Sequence, residues 1–367
     1  MGARICEAPS TPFLSANFDH LLTNVINHPE DFTIIGENIH ATRVVLRNGK
    51  RATTLEDGTE AVVFTGEEGQ SHYLSVPESF KKTQAYEQGQ LKHFMIAILK
   101  GLDDDPEERA LGRDYIQFEI RRQCEAGAHF LDLNVDEVSY DLEIQKPAMA
   151  WLVRTVQEVS PIPPSIDSSN TDIIAAGLEV YDGRSGRPMI NSVALERLET
   201  LELVKSHNAR VIVTASGSDG MPQDDEERVA NVNAVMEAVR SYDLPLSDVT
   251  IDCLVFPISV ASEYGLHYLD AVKQVRKIYG PEVHITGGLS NVSFGLPSRK
   301  LINDVFIHLS VAAGIDTGII DPVQSKIGAI LDLDTGQEPV RLAQEMLLGR
   351  DDFCVNYLRA WRAGALS

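Results

Sequence analysis

Short apolar runs recur along this chain, and from about residue 129 onward they alternate with longer segments whose apolar residues return at i, i+3 and i+4. The runs are DFTIIGE (31–37), HFLDLNV (129–135), PPSIDS (163–168), PMINSV (188–193), ARVIVTAS (209–216), VTIDCLV (249–255), VHITGGLS (283–290) and TGIIDP (317–322). Strands alternating with helices build a parallel sheet, because a crossover helix returns the chain so that the next strand runs the same way. Eight such units is the number at which the sheet closes on itself. The predicted fold is therefore α/β, a (β/α)8 TIM barrel over residues 31–350. Segments such as AMAWLVRTVQEV, TDIIAAGLEVY, ERLETLELVKSH, ERVANVNAVMEAVRSY, YLDAVKQVRKIY and RKLINDVFIHLSVAAG supply its helices.

A barrel of this kind takes about 250 residues, and this chain has 367. The surplus is placed in an N-terminal extension (1–30), an insertion directly after strand 1 (41–105) and a C-terminal helix and tail (351–367). Within the insertion, Asn48-Gly49 and Asp57-Gly58 stand between β-branched runs, the strongest short-range hairpin signal. A helical stretch, TQAYEQGQLKHFMIAILKGL, follows. Asp105-Pro106 then offers a cap and a first-turn proline for the next helix. Because the insertion leaves from the end of a barrel strand, it is expected to cap the pocket there or to dock a partner.

The charge removes several function classes. With 54 Asp+Glu against 32 Lys+Arg the formal net charge is -22. A nucleic-acid binder needs a basic face to displace counterions, and a polybasic membrane anchor needs one too. No apolar run approaches the ~18 residues that a membrane span requires. The N-terminus lacks the basic start and apolar stretch of a secretory signal, so a cytoplasmic location is expected. Cys6, Cys124, Cys253 and Cys354 are scattered without a Cys-x-x-Cys pair, which suggests neither a disulfide framework nor a zinc knuckle.

Active sites of such barrels lie at the C-terminal ends of the strands. There the chain reads Glu37-Asn38, Asp132 and Asn134, Asp167, Asn191, Asp252, Asn291 and Asp321, so seven of eight tips carry a carboxylate or an amide. Helix capping accounts for some of these, since Asp and Asn are favoured N-caps, but not for all seven. No tip carries a Lys for a Schiff base, no Cys or Ser stands with a His partner, and His40 is the one imidazole nearby. Covalent catalysis is disfavoured, and no metal ligand set is assigned. Asp and Asn side chains suit a flat heterocycle rich in N–H donors, because a carboxylate accepts two parallel hydrogen bonds and a carboxamide both donates and accepts. A pterin has such an edge, as do other heterocycles.

The motifs GLSNVSFGLPSRKLIN (288–303), LDLNV (131–135), IDSSN (166–170), INS (190–192) and IGE (35–37) resemble the pterin-binding methyltransferases. These enzymes move a methyl group between tetrahydrofolate and a corrinoid protein, and their domain also occurs in cobalamin-dependent methionine synthase. The resemblance covers strand 1 and roughly residues 110–350. It implies tetrahydrofolate or 5-methyltetrahydrofolate as substrate and a corrinoid carried by a partner protein, since the chain has no Asp-x-His-x-x-Gly motif of its own. It implies a homodimer as well.

Carried over position by position, the resemblance implies that Asp252 accepts from the pyrimidine edge of the pterin. Asn191 would bind another ring nitrogen, Asp167 the reduced ring's N–H, and Asn291 the methyl-bearing N5. Asn291, Asp252 and Asp167 are thus the implied catalytic residues, with Asp132, Asn134, Glu37, Ser290 and Arg299 completing the folate pocket. Arg299 would meet the glutamate tail or support its loop. Four positions depart from the pattern: Asn38 where Arg is usual, His40 where Asn is usual, Cys253 where Pro is usual, and Asp304 where Arg is usual. A dihydropteroate synthase-like enzyme is one alternative, although the Asn-Val-Thr-Pro-Asp-Ser-Phe loop and the Arg-x-His of that group are absent. A non-catalytic pterin-binding subunit is the other.

Overall fold

A computed structural model describes Ile26 and residues 28–366. Most of the expected N-terminal extension, Cys6 included, lies outside the described residues. Eight parallel strands form one sheet: β1 (Thr33–His40), β2 (Phe130–Asn134), β3 (Pro164–Asp167), β4 (Met189–Val193), β5 (Arg210–Thr214), β6 (Val249–Asp252), β7 (His284–Thr286) and β8 (Thr317–Ile320). Each pairs with its sequence neighbour, and β1 also pairs with β8 in the register Thr33↔Thr317 to Gly36↔Ile320. The ring closes between β7 and β8, where Ile319 N–H donates to Gly287 O at 3.1 Å. The expected barrel is therefore present.

The apolar runs form strands because helices cover one face and the barrel interior fills the other. β2 and β6 are buried at every position. Ile35, Phe130, Met189, Ile212 and Ile319 fill the barrel interior as a cluster of their own. β1 runs three residues past the Glu37 at which the apolar run ends. A bulge between Gly36 and Ile39 shifts its register against β2, and Glu37 and Asn38 sit inside that bulge rather than after the strand. The segment ERLETLELVKSH is also shorter as a helix than its pattern suggests. A 3-10 turn over Leu195–Arg197 precedes a helix of only Thr200–Ser206.

The insertion contains the expected antiparallel unit, with three strands over Ala52–Thr54, Glu60–Thr65 and Ser71–Ser75. Asp57-Gly58 forms its first turn: Gly58 has φ +88°, and Asp57 Oδ1 accepts from Thr59 N at 2.9 Å. Asn48-Gly49 also turns, Gly49 N–H donating to Leu46 O at 2.8 Å. It joins no hairpin, because Val45–Leu46 pairs instead with the distant Gln90–Leu91. The single helix expected over residues 83–102 is broken. Gly89 at φ +74° stops a short helix (Gln84–Glu87), and the second helix, His93–Gly101, starts only after the Gln90–Leu91 strand.

Asp105 caps the helix Pro106–Glu125, accepting from Glu107 N at 2.8 Å, with Pro106 in the first turn. This helix and His93–Gly101 touch through glycines: a Cβ on Gly112 would lie 2.4 Å from Ala97 O and 2.6 Å from Gly101 N. Both obstacles are backbone and cannot swing aside. Gly112→Ala is therefore expected to destabilise the protein by about 1–3 kcal/mol, read as a lower urea midpoint. A midpoint equal to wild type would mean that the helices can part at no cost. Among the described residues no helix is long and apolar enough to cross a membrane.

Candidate active site

At the C-terminal ends of the strands lies a cavity of about 910 Å³. Eight of the nine residues singled out above line it: Glu37, Asp132, Asp167, Asn191, Asp252, Ser290, Asn291 and Arg299. Asn134 does not. It lies buried behind Asp167, donating from Nδ2 to Asp167 Oδ2 at 2.9 Å and accepting from Asp136 N at 3.0 Å. Asp321 is also outside the cavity, where it accepts from Asn38 Nδ2 (2.8 Å), Val323 N (2.9 Å) and Gln324 Nε2 (2.6 Å). The tip residues that face the cavity are not spent on helix capping. Asp141 caps the helix after β2 and Asn170 the helix after β3, leaving Asp132 and Asp167 free for the cavity.

The carboxylates occupy unequal surroundings. Asp132 is 3% exposed and accepts from Asn191 Nδ2 at 3.2 Å. Burial, and then the neighbouring Asp167 charge, push its pKa up to about 7. Asp252, 8% exposed, accepts from Leu254 N at 2.7 Å. Burial raises it to about 6, although the Leu254 N–H and the Arg228 charge pull the other way.

The opposite wall is built from β1 and the loop after β7. Ser290 Oγ donates to Glu37 Oε1 at 2.6 Å, and Arg43 closes an ion pair onto the same carboxylate. Arg299 donates from Nε to Ser293 Oγ (3.0 Å) and from Nη2 to Ser290 O (2.8 Å). It thereby braces the Leu289–Ser293 turn that carries Asn291. Asn291 is exposed to the cavity, and its carboxamide makes no hydrogen bond to another described residue.

Several lining residues escaped sequence reasoning. Gln90 and Lys92 arrive from the far end of the insertion, and Arg43 and Val44 from its start. Lys92 Nζ meets Glu137 Oε2 at 2.6 Å, tying the insertion to the loop after β2 across the cavity mouth. Phe256, Pro257 and Phe294 supply flat apolar surface. Nothing local in the sequence marks Lys92, since its position depends on the Val45–Leu46 and Gln90–Leu91 pairing.

Residues 112–321 match the family described as "Pterin binding enzyme". The chain belongs to that family. The methylcorrinoid:tetrahydrofolate methyltransferase of Eubacterium limosum is 30% identical over 250 residues, which is 66% of this chain and 86% of that enzyme. The methionine synthase of Mycobacterium leprae is 35% identical over 213 residues, 54% of this chain, and the match spans only 17% of the synthase's length. Among solved structures, a Xanthomonas albilineans dihydropteroate synthase aligns with a TM-score of 0.47 at 16% identity, covering 64% of this chain and 89% of that one.

In this pterin-binding enzyme the polar strand tips share one cavity with aromatic side chains. Asp132, Asp167, Asn191 and Asp252 present acceptors to the cavity, beside the flat surfaces of Phe256 and Phe294. The volume also suits a ligand of drug size. The raised carboxyl of Asp132 has a measurable consequence for the ligand-free protein. A carboxyl raised on folding stabilises the fold fully below its unfolded pKa near 4, and that contribution is lost as pH rises through about 7. Asp132→Asn is expected to raise the melting temperature at pH 8 and to have little or opposite effect at pH 4, because the amide keeps an acceptor for Asn191 without the charge. Equal shifts at both pH values would show that the Asp132 charge carries no such cost.

Proposed function

We propose that this protein transfers a methyl group between N5 of tetrahydrofolate and the cobalt of a corrinoid held on a separate protein. The observation that carries the reading is the 30% identity to the Eubacterium limosum methyltransferase over 86% of that enzyme, together with a cavity that holds the acceptor ring and Asn291. Asp252 accepts two hydrogen bonds from the 2-amino and ring N–H edge of the pterin, as a carboxylate does from an amidine. Asn191 and Asp167 fix the remaining ring nitrogens, and Asp132 and Asn134 hold those two side chains in place. Glu37, Ser290 and Arg299 brace the turn that presents Asn291.

When the methyl group leaves, the C–N5 bond breaks and its electron pair stays on nitrogen, which takes up one proton. The methyl carbon bonds to cobalt with the electron pair that cobalt brings. In the reverse direction N5 loses that proton. A tertiary amine is a poor leaving group, so a hydrogen bond to N5 that strengthens as charge develops lowers the barrier both ways. The chain forms no covalent intermediate in this scheme. Its contribution is to orient the ring and to stabilise N5.

Purified protein with 5-methyltetrahydrofolate and cob(I)alamin is expected to give methylcobalamin, followed by its visible spectrum. Formation of dihydropteroate from p-aminobenzoate and no methyl transfer would overturn the proposal. Tight folate binding without transfer to free cob(I)alamin or to any corrinoid protein would instead support a binding subunit.

A further inference from the structure

We infer that His40 is the residue through which this cavity exchanges the proton of the reaction, taking it from solvent beside Thr42 and giving it up on the Asp167 side. The inference rests on the methyl-transfer reading, which requires one proton to enter or leave with each methyl group. It adds to the acceptor ring a proton-carrying residue that reaches solvent.

His40 ends β1 and lines the cavity with its side chain 26% exposed, so it reaches both water and the pocket. Its Nε2 lies 3.5 Å from Asp167 Oδ2. That oxygen already accepts from Asn134, the residue paired with His40 across β1 and β2. On the other side, Nδ1 stands 2.7 Å from Thr42 Oγ1 and 3.2 Å from Thr42 N. Thr42 N–H donates to a bare Nδ1, and the Thr42 hydroxyl either donates to it or turns to accept from a protonated one. Protonation of Nδ1 gives up the amide hydrogen bond but keeps the one to the hydroxyl, so one partner serves the ring in both states. That property suits a carrier that must load and unload.

The charged groups around the ring come from three elements. Burial opposes the imidazolium and so does Arg43, but Asp167 on β3 and Asp132 on β2 outweigh them and raise the ring above its ordinary range. The other cavity groups that change charge near neutrality are poorer carriers. Asp132 and Asp252 are almost sealed from solvent, and each is tied to a neighbour, Asn191 and Leu254 respectively. In the step itself, the C–N5 pair stays on nitrogen, N5 gains the proton, neutral His40 remains beside Asp167, and water reloads it. The reverse reaction unloads N5 onto His40.

The test compares wild type with His40→Gln, which keeps polar contacts to Thr42 and Asp167 but cannot carry a proton. With saturating 5-methyltetrahydrofolate and cob(I)alamin, single-turnover transfer by His40→Gln is expected to fall about tenfold to a hundredfold at pH 8. The dissociation constant for the folate should stay within about threefold, and one ionisation should vanish from the pH profile. Added imidazole should restore part of the rate to His40→Ala. An unchanged rate and profile, or a loss that appears only in folate affinity, overturns the inference. If wild type transfers no methyl, the functional reading fails by itself, and the imidazole is judged by NMR titration. His40 should then titrate above its ordinary value and lower in Asp167→Asn, and any other result overturns its role.

Discussion

Replacing Asp252 by Ala is expected to weaken tetrahydrofolate binding by about a hundredfold to a thousandfold. The carboxylate stands at the end of β6, buried, with one oxygen committed to Leu254 N and its outer edge open to the cavity. An amidine-like edge binding there makes charge-assisted hydrogen bonds, worth about 1.5–3 kcal/mol each in a desolvated site. Two of them, less the desolvation of the carboxylate, give that loss.

The same carboxyl predicts a pH dependence. Burial holds Asp252 at about 6 in the free protein. Below that value the group is protonated and must lose its proton before it accepts from two N–H donors, so affinity should fall about tenfold per pH unit. In Asp252→Asn this slope should disappear, while the amide oxygen keeps an acceptor for Leu254 N. Calorimetric titration with tetrahydrofolate between pH 5 and 8 measures both effects. A loss of only a few fold in the Ala variant would remove Asp252 from the pyrimidine edge and make it a support for the loop after β6.

What the sequence shows of this protein follows from how far apart the interacting residues lie. β2 is legible because every position of Phe130–Asn134 is buried, so that even its polar members stand in an apolar frame. Asp132 and Asp167 then stand out as polar groups at strand ends whose following helices are already capped by Asp141 and Asn170. Turn chemistry is equally local, and Asp57-Gly58 and Asn48-Gly49 both turn. Strand partnership is not local. Val45–Leu46 leaves the Asn48-Gly49 turn to pair with Gln90–Leu91, and this pairing delivers Gln90 and Lys92 to the cavity. The β1 bulge hides in the same way, because only the register against β2 reveals that Glu37 and Asn38 belong to the strand. Arg299 illustrates a residue type that was recognised and a role that needed geometry: its guanidinium is committed to Ser290 and Ser293.

Asn291→Ala should lower single-turnover methyl transfer by about a hundredfold to a thousandfold, while folate affinity falls by less than about tenfold. The asymmetry comes from the chemistry at N5. Methylated N5 is a weak acceptor before reaction, so a hydrogen bond to it adds little to binding. As the C–N bond breaks, electron density collects on the nitrogen and the same hydrogen bond strengthens. The Asn291 carboxamide is poised for this, because it enters the cavity on a turn braced by Arg299 and makes no hydrogen bond to another described residue. Little therefore has to be broken before it meets N5. Arg299→Ala should reproduce part of the rate loss by loosening the turn, and Asn291→Asp should be poor at high pH, where a carboxylate can no longer donate. Stopped-flow spectra of methylcobalamin formation, with folate affinity measured separately, resolve the two quantities. An Asn291→Ala enzyme that turns over at the wild-type rate would place the stabilisation of N5 on another group.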